Sequence, residues 1–314
     1  MLTGSCYIQG LLFFTVNLIA IAILVRGKCG LSKCITCYLV AMAVADLTVV
    51  IINVIFHRMN YMYWLIRFLS LTPVCTVNLV AYIVAVDCSV WFTLAFTFDR
   101  YVMICCQKLQ SKYCTQKTAG VVIAIICVMS CFRSIPFYYF IEPAFIIDGV
   151  PWHCFPRMDD LASSFHKVHE WIDTIITPLL PIVLILLFNA LTIRHIVVAN
   201  RSRTGLLSNS SNQKGPEGKN RRTSMVLLFS ISANFVLLWM TYVVHSVNWP
   251  VINYYYTDKY LSNPMYITQQ VGFMLQLLGC CTNTCIYGIA QKKFREELKH
   301  LAKCLFTLNG KLCQ

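Results

Sequence analysis

The sequence predicts an all-α membrane protein: a seven-transmembrane helix bundle with a short amphipathic C-terminal eighth helix. Two observations carry this. Of 314 residues, 58% are hydrophobic and only 12% charged, where a soluble domain carries about a quarter charged. The apolar residues also gather into long runs, and a bilayer core of ~30 Å takes roughly 20 apolar residues per helix. A membrane β-barrel would show ~10-residue alternating segments, and none is present.

The chain reads as a single domain, residues 1–314, with spans at about 6–25, 36–56, 74–105, 118–140, 168–198, 222–251 and 264–289. Span 1 lacks the basic start of a signal peptide and is followed by Arg26, Lys28 and Lys33, so it counts as a true span. Little chain precedes it, which leaves open a tiny outer tail or a longer natural N-terminus. Between spans 5 and 6, residues 199–220 are rich in Ser, Asn, Gly and Lys and read as a flexible linker. Its Asn-x-Ser patterns, at Asn200 and Asn209, lie on the side where glycosylation does not occur. After span 7, residues 291–306 form the eighth helix: Phe294, Leu298, Leu301 and Leu305 share one face, with basic residues elsewhere.

Orientation follows from Lys and Arg. The loops after spans 1, 3 and 5, with the tail, hold 20 of the 26, counting Arg100. The other side holds Arg58, Arg67, Arg157, Lys167 and Lys259, and Arg133 lies within a span. The basic side is therefore cytoplasmic, with the N-terminus outside and the C-terminus inside. The net charge of +13 is a topology signal, with anionic inner-leaflet lipid as its partner and no nucleic acid.

Most of the 17 cysteines lie in spans or cytoplasmic loops, where thiols stay reduced. Cys75, at the outer end of span 3, and Cys154, in the long outer loop, face an oxidising compartment instead. Cys29, Cys34 and Cys37 only loosely resemble metal spacing, and no His accompanies them.

Ionisable residues inside spans are costly unless paired or hydrated, and are functional candidates by default. Asp46 lies mid-span 2. Asn17, Ser89, Trp239 and Asn283 supply further groups, one each from spans 1, 3, 6 and 7. Two readings stay open: a hydrated core suited to a monovalent cation, or a plain interhelical hydrogen-bond network. Arg133 sits about seven residues below the outer end of span 4, ~10 Å deep. Asp173 lies ~9 Å deep in span 5, and Asp87 ~18 Å down span 3. Depth thus pairs Arg133 with Asp173 rather than Asp87; the alternative is an Arg133 that snorkels to the interface.

In order, Asn17, "LVAMAVAD" at 39–46, Cys75, "FDRY" at 98–101, Pro181, Trp239 and Asn283 with Tyr287 resemble the rhodopsin-like (class A) G-protein-coupled receptors over essentially the whole chain. The resemblance implies a plasma-membrane receptor that binds an extracellular ligand and activates heterotrimeric G proteins, with arrestin and a receptor kinase as further partners. It implies a Cys75–Cys154 disulfide and an allosteric sodium ion at Asp46, Ser89 and Asn283, with no other cofactor. The switch would comprise Asp99, Arg100, Tyr101, Asn283 and Tyr287, with Trp239 as the toggle and Cys304 as a palmitoylation position. Ligand-pocket candidates are Tyr82, Asp87, Arg133, Glu170, Asp173, Trp239 and Tyr242: Arg133 for a carboxylate, Asp173 or Glu170 for an amine, aromatics for a side chain.

The departures from the family pattern are specific. Cys127 stands where span 4 usually has Trp. Thr241 and Thr284 replace the usual prolines of spans 6 and 7, and Gly279 and Cys280 thin the polar residues near Asn283. Tyr82 replaces the Asp of amine receptors, and span 7 has no Lys for a retinal Schiff base. "SIPFYYF", "LLWMTYVVH" and a proline-free span 7 look like an orphan subfamily near peptide receptors, some members of which sense tryptophan and phenylalanine; the ligand expected is a small peptide or an aromatic amino-acid-like molecule. "DRYVMIC" resembles odorant receptors, the alternative subtype. A transporter or channel would need a polar stripe crossing the bilayer, and an enzyme would need clustered catalytic groups, whereas His57, His245 and His300 do not cluster with any nucleophile. Arg221 and Asn189 replace the usual partners of Arg100, so a loosely restrained switch with basal signalling is expected, lowered by Arg221→Glu.

Overall fold

The computed structural model describes residues 2–27, 29–59, 67–157, 160–206, 216–248 and 264–307. Its helices are α1 (Leu2–Val25), α2 (Lys33–Val50), α3 (Thr72–Cys105), α4 (Gln107–Tyr113), α5 (Gln116–Tyr139), α6 (Asp160–Thr174), α7 (Leu180–Leu206), α8 (Pro216–Asn248), α9 (Pro264–Ala290) and α10 (Lys292–Thr307). Among the described residues, six stretches are long and apolar enough to cross a membrane: Lys33–Val54, Thr72–Cys105, Gln116–Tyr139, Val168–Ala199, Met225–Val244 and Val271–Ala290. A shorter apolar stretch, Gly10–Val25, lies in α1. The side chains of Arg221 and Cys304, and residues 207–215 of the basic linker, lie outside the described residues.

Local chemistry sets the helix ends. The Ser32 hydroxyl accepts the Ile35 amide at the start of α2, and Thr115 does the same for Thr118 at the start of α5. Pro73 sits in the first turn of α3, where no amide partner is needed. Gly30 is left-handed (φ 69°), a conformation that favours glycine, and the Lys293 side chain lies over it. Two helices widen into π turns. One is Ile51–Met59 after α2; the other is Ile175–Leu179, which joins α6 to α7 and contains Pro178. A proline lacks the amide that a regular turn requires, and the wider turn absorbs the loss.

The outward surface is apolar. On α5, Val121, Ile125, Val128, Met129 and Phe132 are exposed, while Ala119, Ser130 and Ser134 face inward. This inverts the pattern of a water-soluble helix and fits lipid contact. Inside, one apolar cluster joins Tyr38 and Met42 of α2, Phe96 of α3, Leu227, Leu228 and Ile231 of α8, Tyr287 of α9 and Phe294 of α10. A second lies around Phe13, Val50, Ala85 and Leu277, and a third around Val90, Ile185, Phe235 and Trp239. Gly272 lets α9 approach α8 closely: a Cβ there would sit 3.2 Å from the Tyr242 Cα.

Between α5 and α6 the chain forms two nested antiparallel ribbons. Ile141–Glu142 pairs with Phe155–Pro156, and Phe145–Ile147 pairs with Val150–Trp152. Asp148 and Gly149 both have positive φ, the signature of a tight two-residue hairpin turn. A Cys75–Cys154 disulfide (Cα–Cα 6.0 Å) ties this hairpin to α3. The Thr72 hydroxyl donates to the His153 carbonyl at 2.7 Å, and the His153 amide donates to the Ser70 carbonyl at 2.7 Å. At the other end, Arg295 Nη1 donates to the Gly288 and Ile289 carbonyls at 3.0 and 2.7 Å. These are terminal carbonyls of α9 that no helix amide can reach, so Arg295 fixes the angle at which α10 leaves the bundle.

Candidate functional site

Polar groups occur at three levels between the helices. Near the hairpin, Arg133 of α5 lies between two carboxylates. Its Nη1 is 2.6 Å from Asp173 Oδ1, at the end of α6, and its Nη2 is ion-paired with Asp87 of α3. The depth estimate that favoured Asp173 alone is corrected here. The arginine side chain is long enough to reach a carboxylate deeper in the bundle while its other fork holds the shallower one. The Thr177 hydroxyl donates to Asp87 Oδ1 at 2.6 Å, from the π turn that Pro178 opens. Asp87 is 2% exposed at its side chain, Arg133 17% and Asp173 23%, so the cluster is more open on the Asp173 side. His169 and Glu170 are close enough to Asp173 to act on it electrostatically, and His169 stacks on Phe137 at 4.5 Å. The other pocket candidates stand apart. Tyr82 packs against the α1–α2–α3–α9 cluster, while Trp239 meets Tyr242 edge-on at 5.5 Å.

Midway down, Asp46 is buried and both carboxylate oxygens accept hydrogen bonds: Ser89 Oγ donates at 2.6 Å and Asn283 Nδ2 at 3.0 Å. Asn234, Trp239 and Gln276 help line the small cavity beside them, about 30 Å³, room for a water or two or for one small cation. Carboxylate, hydroxyl and amide oxygens are the hard donors that such a cation takes, so the donor set fits. Asn17 does not join this group. Its amide donates to the Phe13 carbonyl of its own helix at 3.0 Å, a partner one turn away that a short side chain meets before any other helix. Asn234 Nδ2 instead donates to Thr282 Oγ1 at 2.8 Å, joining α8 to α9.

At the end away from the hairpin, Asp99 and Arg100 are fully buried and ion-paired. Cys34 Sγ of α2 donates to Asp99 Oδ1 at 3.1 Å, and Cys114 Sγ, just after α4, lies 3.7 Å from the Asp99 carbonyl. The Arg100 guanidinium is 6.0 Å from the Phe96 ring centre. Tyr101 points elsewhere and stacks on Phe188 of α7 at 5.4 Å. Tyr287 is buried edge-on to Phe294 of α10, 6.1 Å away, and so faces the eighth-helix junction. Leu227, Leu228 and Ile231 share the buried cluster with Phe96 and Tyr287, which shuts this end with apolar side chains.

The family model for the seven-transmembrane receptors of the rhodopsin family matches residues 16–287. The chain belongs to the rhodopsin-family receptors. It is a receptor and not an enzyme. Atypical chemokine receptor 3 of Rattus norvegicus is 23% identical over 279 residues, spanning 83% of this receptor and 68% of the relative; the Mus musculus protein matches to the same extent. The Canis lupus familiaris protein is 22% identical over 273 residues. For this receptor, sequence reasoning weighed Cys34 only as a loose metal ligand and passed over Cys114, Thr177 and the hairpin. Asp148–Gly149 between apolar residues was a readable hairpin signal. A thiol that serves as a donor carries no such signal.

Proposed function

We propose that the receptor binds an extracellular ligand at the hairpin end and activates heterotrimeric G proteins at the Asp99–Arg100 end. In this reading α1, α2, α3, α5, α6–α7, α8 and α9 are seven spans, the N-terminus lies outside a plasma membrane, and α10 lies on the inner leaflet. The observation that carries it is the buried Asp99–Arg100 pair behind an apolar plug of α8 side chains. Burying such a charge is costly, and its value lies in release: a ligand that favours the open arrangement draws α8 outward and frees Arg100. Arrestin and a receptor kinase would meet the same end, and Cys304 would carry a palmitoyl group. A sodium ion held by Asp46, Ser89 and Asn283 would add charge compensation to the closed form.

The ligand reading follows the charges. Asp87 and Asp173 flank a single Arg133 already paired twice, and Glu170 lies near enough to act on Asp173. A ligand carboxylate would have to displace an aspartate, whereas a ligand amine finds Asp173 partly exposed. The site therefore suits a small peptide or an aromatic amino-acid-like molecule that enters by its cationic group. The relatives are named as atypical chemokine receptors, which favours a peptide over an odorant. The test is nucleotide exchange on a panel of Gα subunits with receptor-containing membranes, against Arg100→Ala. Ligand-free or ligand-driven exchange that Arg100→Ala abolishes supports the reading. No exchange on any Gα, with equal surface expression, overturns it.

A further inference from the structure

We propose that Cys34 is the residue that positions Asp99 and, through it, holds Arg100 in the resting form, so that the switch is restrained from α2 and the loop after α3. A buried carboxylate must have its lone pairs engaged, since no water reaches it. Asp99 meets this demand from two sides: Arg100 occupies Oδ2, and the Cys34 thiol, on another helix, occupies Oδ1 at 3.1 Å. Two anchors on two oxygens fix the plane of the carboxylate, and the plane sets where the guanidinium lies. Cys114 secures the backbone of the same residue, at 3.7 Å from the Asp99 carbonyl. One turn beyond Cys34, fully buried Tyr38 lies on the side of α2 that faces Tyr113 of α4 and the Asp99 charge. Four side chains from α2 and from the α4 segment thus converge on Asp99 and its surroundings. Cys34 lies among apolar neighbours at 2% exposure, so its thiol has no water to turn to.

Cys34→Val keeps the shape and removes the donor; Cys34→Ser keeps a donor. The purified receptor in lipid nanodiscs is followed by amide hydrogen exchange over residues 100–113, and by ligand-free nucleotide exchange on the Gα panel. Cys34→Val should raise both rates about three- to tenfold, and Cys34→Ser should stay within about twofold of the parent. On an Asp99→Leu background, Cys34→Val should add nothing, because the acceptor it served is gone. The proposal is overturned if Ser behaves as Val does, or if Val has its full effect without the Asp99 carboxylate; either result makes Cys34 a packing residue. It rests on the reading of Asp99–Arg100 as a G-protein switch, and the two readouts separate the failures. Amide exchange that responds as expected while no Gα is activated sinks the coupling and leaves the restraint standing. Gα activation with amides indifferent to Cys34→Val sinks the restraint alone.

Discussion

Arg133→Met offers the sharpest test of the ion cluster. The variant removes one cation from between two carboxylates and leaves both unpaired. Asp87, 2% exposed, is then a charge without water, while Asp173, 23% exposed, is partly hydrated. Deleting one partner of a buried ion pair costs about 3–5 kcal/mol. Thr177 still donates to Asp87, which places the expected loss near ~3 kcal/mol, the lower end of that range. An unfolding entropy of ~2.1 cal/mol/K per residue over 314 residues gives ~1.5 °C per kcal/mol, so the melting temperature falls by ~5 °C. The assay is thermal unfolding in detergent, followed by intrinsic tryptophan fluorescence. Combining Asp87→Asn, Arg133→Met and Asp173→Asn removes all the charges and should recover most of the loss, since an ion cluster and a neutral set of like shape differ little in stability. Arg133→Met that melts within ~2 °C of the parent would show that no buried charge was left stranded. A triple variant as unstable as the single one would show that Arg133 matters for packing rather than charge.

Other consequences are as direct. Cys75→Ser opens a 79-residue loop, and a loop of that size is worth ~4 kcal/mol when closed; surface expression should drop severalfold, as read by antibody binding on intact cells. Phe294→Ala empties a buried site against Tyr287, with a loss of about 3–5 kcal/mol; α10 should lose hydrogen-exchange protection while α3 keeps its own. Burial, and then the charge of Asp99, push the Cys114 thiol up to about 12. A raised value keeps the thiol protonated at neutral pH, so maleimide labelling at pH 7 should run at least ~10²-fold slower than for an unshifted thiol. Asp99→Asn should speed it, and equal rates in both proteins would refute the role of that charge.

What the sequence disclosed, and what it withheld, divides along the range of the forces involved. Hydropathy and the Lys–Arg bias act over whole segments, so the long apolar helices and the amphipathic α10 were legible. The Asp46 level was legible in part: Ser89 and Asn283 meet the carboxylate, but Asn17 finds its own helix first. Depth along a span is a one-dimensional measure, and it undervalued Asp87 because it ignores the reach and fork of an arginine. Thr177 was hidden for a related reason. Its hydroxyl reaches Asp87 only because the turn around Pro178 is wide, which shifts the helical register by part of a turn.

Cys34 shows the deeper limit. In a sequence it is one of 17 cysteines, and most of these behave as small apolar side chains. Its role depends on what surrounds it, since a thiol is a weak donor that water would displace. Burial removes the competitor, and Asp99 supplies a charged acceptor. Composition at the mouth of the bundle suggested a loosened switch because Arg221 and Asn189 replace familiar partners. On the readings proposed above, the resting form has two further restraints: an apolar plug from α8, and a carboxylate held from α2. An apolar plug resists opening without favouring any one ion pair. Charge placed at position 221 should therefore alter basal coupling less than removal of the Cys34 donor does, and the two variants compared on one Gα decide which element governs the resting state.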